Sequence, residues 1–150
     1  MRIVLQRIKK GIVYINHKLY SQINRGYIVY LGIAKDDSVL DINFIINKLL
    51  KLRLFENKIR KFDKDIFQIN GEILIVSQFT LFADYSKGKR PYFGKAERPK
   101  EALKVYNQFI QKLKENYFST KIKTGKFAEK MLIKTENDGP VTLILDSKIK

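Results

Sequence analysis

The sequence predicts a single-domain α/β protein, on three grounds. With 150 residues, 45% of them hydrophobic and 12% aromatic, the chain is long enough to bury one core and too apolar to be disordered. Between Arg2 and Ala34, short apolar, β-branched runs alternate with turn residues, as antiparallel hairpins do. Two later stretches repeat apolar residues at helical spacing, with further strand-like runs between and after them.

Residues 2–8 form the first expected strand, and Lys9-Lys10-Gly11 reads as the turn that ends it. Residues 12–15 and 19–23 follow as strands on either side of an Asn16-His17 turn. After Arg25-Gly26, residues 27–34 (YIVYLGIA) form another strand with a buried character. Ser38 then opens a helix, and Asp41 supplies an acidic variant of the capping box. Val39, Ile42, Ile45, Ile46, Leu49 and Leu52 share one face of it, and its end is expected near Arg53-Leu54-Phe55. Residues 56–68 read as a polar excursion anchored by Phe62, Ile66 and Phe67. Residues 73–76 (ILIV) make a continuous apolar run, which suits a strand buried on both faces. Pro99 fits the first position of a second helix, whose core face carries Ala102, Leu103, Tyr106, Phe109, Ile110, Leu113 and Tyr117. Residues 120–124, 131–135 and 141–145 are strands, the last two joined by a tight turn at Asn137-Asp138-Gly139-Pro140. Nothing divides the chain, so residues 1–150 are expected to form one domain.

Charge and composition narrow the function. Thirty Lys and Arg against fifteen Asp and Glu give a net charge of +15. A polyanion is the natural partner, nucleic acid ahead of a membrane surface, although the abundance of Lys, Ile and Asn also fits biased codon usage. No stretch approaches the ~18 uninterrupted apolar residues of a membrane span, and the first residues lack the apolar core of a secretory signal, so a cytoplasmic protein is expected. With no cysteine and a single histidine, His17, there is no basis for a thiolate or multi-histidine metal site, and no metal or cofactor is expected.

The usual catalytic sets are missing. His17 lies in a hairpin turn, Asp36-Asp37 read best as charges at a helix start, and no glycine-rich phosphate loop follows a strand. Two places remain. At Ser77-Gln78-Phe79-Thr80 the buried strand turns polar, and unpaired buried polar groups cost ~1–3 kcal/mol each. They therefore either find partners or line a site, where a hydroxyl can act as nucleophile and backbone amides can face an oxyanion. Gly139-Pro140 allows a close backbone approach, and taken alone it is a plain turn. Directly after the polar step, Lys87, Lys89, Arg90, Lys95, Arg98 and Lys100 surround Tyr92-Phe93, a mixture of charge and stacking surface that suits single-stranded RNA.

Taken together, these segments closely resemble the D-aminoacyl-tRNA deacylases (D-Tyr-tRNA deacylase family) over nearly the whole chain. The likeness runs through Gln6-Arg7, residues 26–38 (GYIVYLGIAKDDS), 52–55 (LRLF), 77–81 (SQFTL), 87–93 (KGKRPYF), 124–131 (TGKFAEKM) and 137–142 (NDGPVT). It departs at residues 57–66, where the family commonly carries a Lys-Met-Asn-type turn and this chain reads KIRKFDKDI from Lys58.

The resemblance implies two β-sheet layers with helices packed on one side, and a homodimer with active sites at its interface. It implies hydrolysis of the ester between a D-amino acid, or glycine, and the 3′-terminal ribose of tRNA. Ser77, Gln78, Phe79 and Thr80 would form the pocket floor. Gly139 and Pro140, joined by a cis peptide, would enter the partner's pocket, where their carbonyls meet the substrate amino group and exclude an L side chain. Lys87, Lys89 and Arg90 would contact phosphates near the tRNA 3′ end, and Phe79 or Tyr92 would stack on the terminal adenine. An oriented water is the favoured nucleophile over Thr80, since nothing in the sequence supplies Thr80 with a base. The competing reading, from charge and aromatics alone, is a basic RNA-binding module without chemistry.

Overall fold

The computed structural model describes residues 1–86 and 88–149. Among them, one six-stranded mixed sheet and two α-helices form an α/β fold. The strands are β1 (Arg2–Ile15), β2 (Lys18–Ile23), β3 (Gly26–Gly32), β4 (Glu72–Ser77), β5 (Ile122–Thr124) and β6 (Leu132–Asp146). Helix α1 (Val39–Lys51) connects β3 to β4, and α2 (Pro99–Asn116) lies between β4 and β5. The order is β2-β1-β3-β4-β5, with β6 on the other edge of β1. Strands β3, β4 and β5 run parallel, and β1 is antiparallel to β2, β3 and β6. Among the described residues, no helix is long and apolar enough to cross a membrane.

The two expected layers are two halves of this one sheet. In β1, Ile3, Leu5 and Arg7 face the helices, whereas Ile8, Gly11 and Val13 face the opposite core. Strict alternation cannot do this. The pairing with β6 slips between Ile8 and Lys10, and such an irregularity flips the side-chain parity and bends the strand. The β1–β2 hairpin thereby folds over β3 and β4, enclosing Ile8, Val13, Ile23, Ile28, Leu74 and Val76, and the Ser21 hydroxyl fastens it by donating to the Thr124 carbonyl at 2.8 Å. Lys9-Lys10-Gly11 is thus not the expected turn; β1 continues through it because β2 and β6 supply partners. The Asn16-His17 turn is present, with φ of 49° and 63°, the positive values that a tight two-residue hairpin loop requires.

The helices cover the other face. Ser38 caps α1 with the full capping box: its hydroxyl accepts from Leu40 N at 3.3 Å, and the Asp41 carboxylate accepts from Ser38 N at 2.8 Å. Ile42, Ile45, Ile46 and Leu49 are buried against Ile3, Leu5, Val29 and Ile75. The helix stops at Lys51, short of the expected end, because Leu54 and Phe55 leave it for the core, where Phe55 stacks on Tyr27 with centroids 5.0 Å apart. In the excursion that follows, Ile66 is buried and Phe67 meets the edge of Tyr117, but Phe62 is 57% exposed and anchors nothing. Strand β4 is buried on both faces, as its apolar run predicts. Pro99 opens α2, whose residues Tyr106, Phe109 and Leu113 complete the core; Leu103 stays exposed.

Strand β6 overturns the last expected turn. Asn137-Asp138-Gly139-Pro140 does not reverse the chain but bulges from one continuous strand. Gln6 pairs with Thr142 and Ile8 with Asn137, so Arg7 alone opposes residues 138–141.

Candidate active site

Three parallel strands end side by side, and in open α/β sheets ligands bind in the crevice beyond the carboxyl ends. Here that crevice is an open cavity of about 710 Å³. Its wall takes Leu31 and Ile33 from the end of β3, Val76, Ser77 and Gln78 from the end of β4, and Phe127 and Met131 from the segment after β5.

The local fold explains how the polar step reaches this cavity. Gln78 N still donates to Leu31 O at 2.8 Å, and there the ladder ends. The chain then tightens into the 3₁₀ turn Phe79–Phe82, closed by Leu81 N to Gln78 O at 3.3 Å and Ala83 N to Thr80 O at 3.0 Å. Arg2 fixes this turn from below. Its guanidinium donates to Leu81 O at 2.9 Å, lies over the Phe82 ring and pairs with Asp146 at 2.8 Å. Burial alone would raise the Asp146 pKa, but the Lys148 amide and the Arg2 guanidinium outweigh it and hold the carboxyl below its ordinary value.

The polar side chains line the site and find few protein partners. Ser77, Gln78 and Phe79 sit on the cavity wall. Thr80 lies next to it, exposed, its hydroxyl accepting from Gln78 Nε2 at 2.5 Å. No His, Lys or carboxylate is hydrogen-bonded to Thr80 or Ser77 among the described residues. The backbone amides of Phe79 and Thr80 likewise meet no acceptor among them. Two adjacent free N–H groups beside a hydroxyl and a carboxamide can stabilise an oxyanion, without a protein base. The carboxylates nearby are engaged elsewhere: Glu97 accepts from Arg98 N at 2.6 Å, and Glu129 pairs with Lys126 at 2.9 Å. No group of three or more His, Cys, Asp or Glu that could hold a metal occurs among the described residues.

The basic loop divides. Lys87 lies outside the described residues; Lys89 and Arg90 are exposed and off the cavity wall. Tyr92 is 69% exposed and exchanges two backbone bonds of 2.7 Å with Asp84. Phe93, not Tyr92, faces the cavity, its ring edge-on to Phe79 at 4.9 Å. Five charged wall residues went unread as site residues in the sequence: Lys35, Glu97, Arg98, Glu129 and Lys130. Their one signal is position, since each lies in a connection that borders the ends of the parallel strands.

Gly139 and Pro140 do not join this cavity. Their peptide is cis, both residues are exposed, and Gly139 has φ +133°. A Cβ there would lie 2.8 Å from Val141 N, so glycine alone fits comfortably. The buried Arg7 holds the bulge: Nε donates to Asp138 O at 3.0 Å and meets its carboxylate at 3.3 Å, while Nη1 donates to Leu54 O at 2.5 Å.

Comparison with known proteins places this geometry. A family model described as D-Tyr-tRNA(Tyr) deacylase matches residues 4–146. The D-aminoacyl-tRNA deacylase of Aquifex aeolicus (strain VF5) is 47% identical over 148 residues, covering 99% of both chains. That of Clostridium tetani (strain Massachusetts / E88) is 45% identical, covering 99% of this chain and 98% of the relative. Among solved structures, a c-Myc DNA unwinding element binding protein superposes with a TM-score of 0.93 at 37% identity, covering 97% of this chain and 98% of that one. A probable eukaryotic D-amino acid tRNA deacylase shares the fold, with a TM-score of 0.82 at 18% identity over 96% of this chain and 97% of that one. With residues 4–146 matched and relatives aligned end to end, the chain belongs to the D-Tyr-tRNA(Tyr) deacylase family.

Proposed function

We propose that this protein is an editing hydrolase that cleaves the ester of D-aminoacyl-tRNA and releases free D-amino acid and tRNA. The observation that carries this reading is the pair of unengaged amides at Phe79 and Thr80, next to a cavity where no His, Lys or carboxylate is hydrogen-bonded to Thr80 or Ser77 among the described residues. An aminoacyl ester is already activated, so a bound water, an oxyanion donor pair and the ribose 2′-hydroxyl suffice. The water adds to the carbonyl carbon and gives up a proton, which the ribose 2′-hydroxyl relays to the departing 3′-oxygen; the Phe79 and Thr80 amides receive the developing oxyanion, whose collapse breaks the ester bond. Gln78 holds the Thr80 hydroxyl as a hydrogen-bond acceptor, which orients it toward substrate or water without activating it as a nucleophile.

Chiral selection is assigned to Gly139-Pro140 acting in trans. The two residues are exposed and lie off the wall of their own chain's cavity, so they serve a site only by entering that of a second copy. Their carbonyls would receive the substrate amino group and leave room at Cα for a D side chain or, in glycine, none. A homodimer with shared active sites follows, as does hydrolysis of glycyl-tRNA. The high positive charge suits the tRNA, with Lys89 and Arg90 reaching phosphates beyond the cavity and Phe79 the terminal base.

The test is a paired deacylation assay, D-Tyr-tRNA against L-Tyr-tRNA, at one enzyme concentration and then on dilution. Release of D-Tyr with L-Tyr-tRNA untouched, lost as the dimer dissociates, is expected. An active monomer would overturn the shared site. Binding of tRNA with no release from either ester would instead favour the RNA-binding module.

A further inference from the structure

Among the described residues, six Lys and Arg side chains have acidic partners, and none of the six lines the cavity. Arg2 pairs with Asp146, Arg7 with Asp138, Lys126 with Glu129, and Lys95 approaches Asp84 at 3.8 Å. Lys35, Arg98 and Lys130 differ. All three line the cavity, all are exposed, and none of their side chains makes a hydrogen bond or ion pair among the described residues. They come from three separate connections: after β3, before α2, and between β5 and β6. Two of these are fastened together, by Lys35 N to Lys95 O at 3.3 Å and Glu97 N to Ile33 O at 2.9 Å, around an Ala34–Ala96 bridge. The fold therefore gathers three positive charges at a largely apolar cavity, while the two carboxylates on its wall are bonded elsewhere, Glu97 to Arg98 N at 2.6 Å and Glu129 to Lys126 at 2.9 Å. Like charges so placed repel one another and add nothing to stability, whereas an anionic ligand at the mouth would meet all three.

We propose that Lys35, Arg98 and Lys130 hold the phosphodiesters immediately upstream of the esterified ribose, and so set how far the tRNA 3′ end enters the crevice. This rests on the hydrolase reading above. Arg98 offers a planar fork suited to bidentate phosphate contact, and the two lysines act as mobile point charges. The three are positioning residues: they touch the substrate's backbone, away from the reacting carbonyl.

The test compares two substrates, D-Tyr-tRNA and 3′-O-D-tyrosyl-adenosine, which has the same ester and no phosphodiester. In Lys35→Ala, Arg98→Ala, Lys130→Ala and the triple variant, the ratio of kcat/KM on the tRNA ester to that on the adenosine ester is expected to fall. In the triple variant the fall is tenfold or more and is carried by KM. The salt dependence of tRNA affinity flattens as well, by about 0.7 in log–log slope for each phosphate no longer neutralised. Lys35→Arg, Arg98→Lys and Lys130→Arg should restore the ratio. Lys104→Ala, which removes a lysine paired with Glu101 on α2, should leave it at the wild-type value. Equal losses on both esters would overturn the clamp by showing that these residues shape the pocket; an unchanged ratio would overturn it too. If the wild-type protein cleaves neither ester, the hydrolase reading falls and the clamp falls with it.

Discussion

Replacing Arg7 by methionine removes the tether of the β6 bulge while keeping an unbranched apolar stem in its place. The buried Leu54 carbonyl, 2.5 Å from Nη1, then loses its donor at a cost of ~1–3 kcal/mol. The Asp138 carbonyl, 3.0 Å from Nε, sits at an open bulge where water replaces much of the bond, so about 1 kcal/mol is lost there. The Asp138 carboxylate is 25% exposed, and its ion pair adds about 1 kcal/mol or less. The sum is about 3 kcal/mol, on the order of a hundredfold in the folding equilibrium. Urea unfolding followed by far-UV circular dichroism measures it, at a fixed protein concentration because association shifts apparent stability. The midpoint should fall with the slope unchanged. A loss below about 1 kcal/mol would refute the reasoning, by showing that solvent reaches the Leu54 carbonyl and that the bulge holds itself.

Thr80→Ala should keep substantial deacylase activity, because an oriented water attacks; complete loss, with fold and tRNA binding intact, would establish Thr80 as a covalent nucleophile. Gly139→Ala places a Cβ 2.8 Å from Val141 N at φ +133°, so the bulge must shift and discrimination between D-Tyr-tRNA and L-Tyr-tRNA should weaken; an unaltered ratio would contradict its role. Stability should fall in acid through Asp41 and Asp146, whose side chains are 8% and 9% exposed. Burial alone would raise Asp41, but bonds from Ser147, Lys148 and Ser38 outweigh it and hold its carboxyl well below the usual range. Since both folded pKa values lie below the unfolded value of ~3.9, this stabilisation is full above about pH 5 and is lost as the pH falls through the folded values. The stability difference between the protein and Asp41→Asn should therefore shrink below about pH 4; a gap constant with pH would show that Asp41 acts by packing alone.

What could be read in the sequence was local. The Ser38 capping box, Pro99 at the start of α2 and the doubly buried β4 each depend on neighbours in the chain, and each stands as expected; so does the apolar face of α1 from Ile42 to Leu49, whereas Val39 is exposed and Leu52 lies past the helix end. Lys9-Lys10-Gly11 and Asn137-Asp138-Gly139-Pro140 misled because both have turn composition, yet partner strands hold the first extended and Arg7 holds the second as a bulge of a continuous strand. No single segment encodes that outcome. The polar step at Ser77-Gln78-Phe79 pointed to the cavity because polar groups on a buried strand are conspicuous. Lys35 and Lys130 were invisible among thirty cationic residues, and only the parallel order of β3, β4 and β5 brings them to one mouth.

The change of parity along β1 also bears on how the chain can vary. Upstream of Ile8 the inward frame is Ile3, Leu5 and Arg7; downstream, a different frame puts Gly11 and Val13 inside the second layer. Substituting the exposed Lys9 or Lys10 leaves both frames intact. Deleting either would remove the extra residue and leave Ile8, Gly11 and Val13 in one plain alternation, so the strand would lose the bend that folds the β1–β2 hairpin over β3 and β4. The stretch most tolerant of exchange is thus the one least tolerant of a change in length. Across variants of this chain, residues 9–10 should differ freely in identity and hardly at all in number.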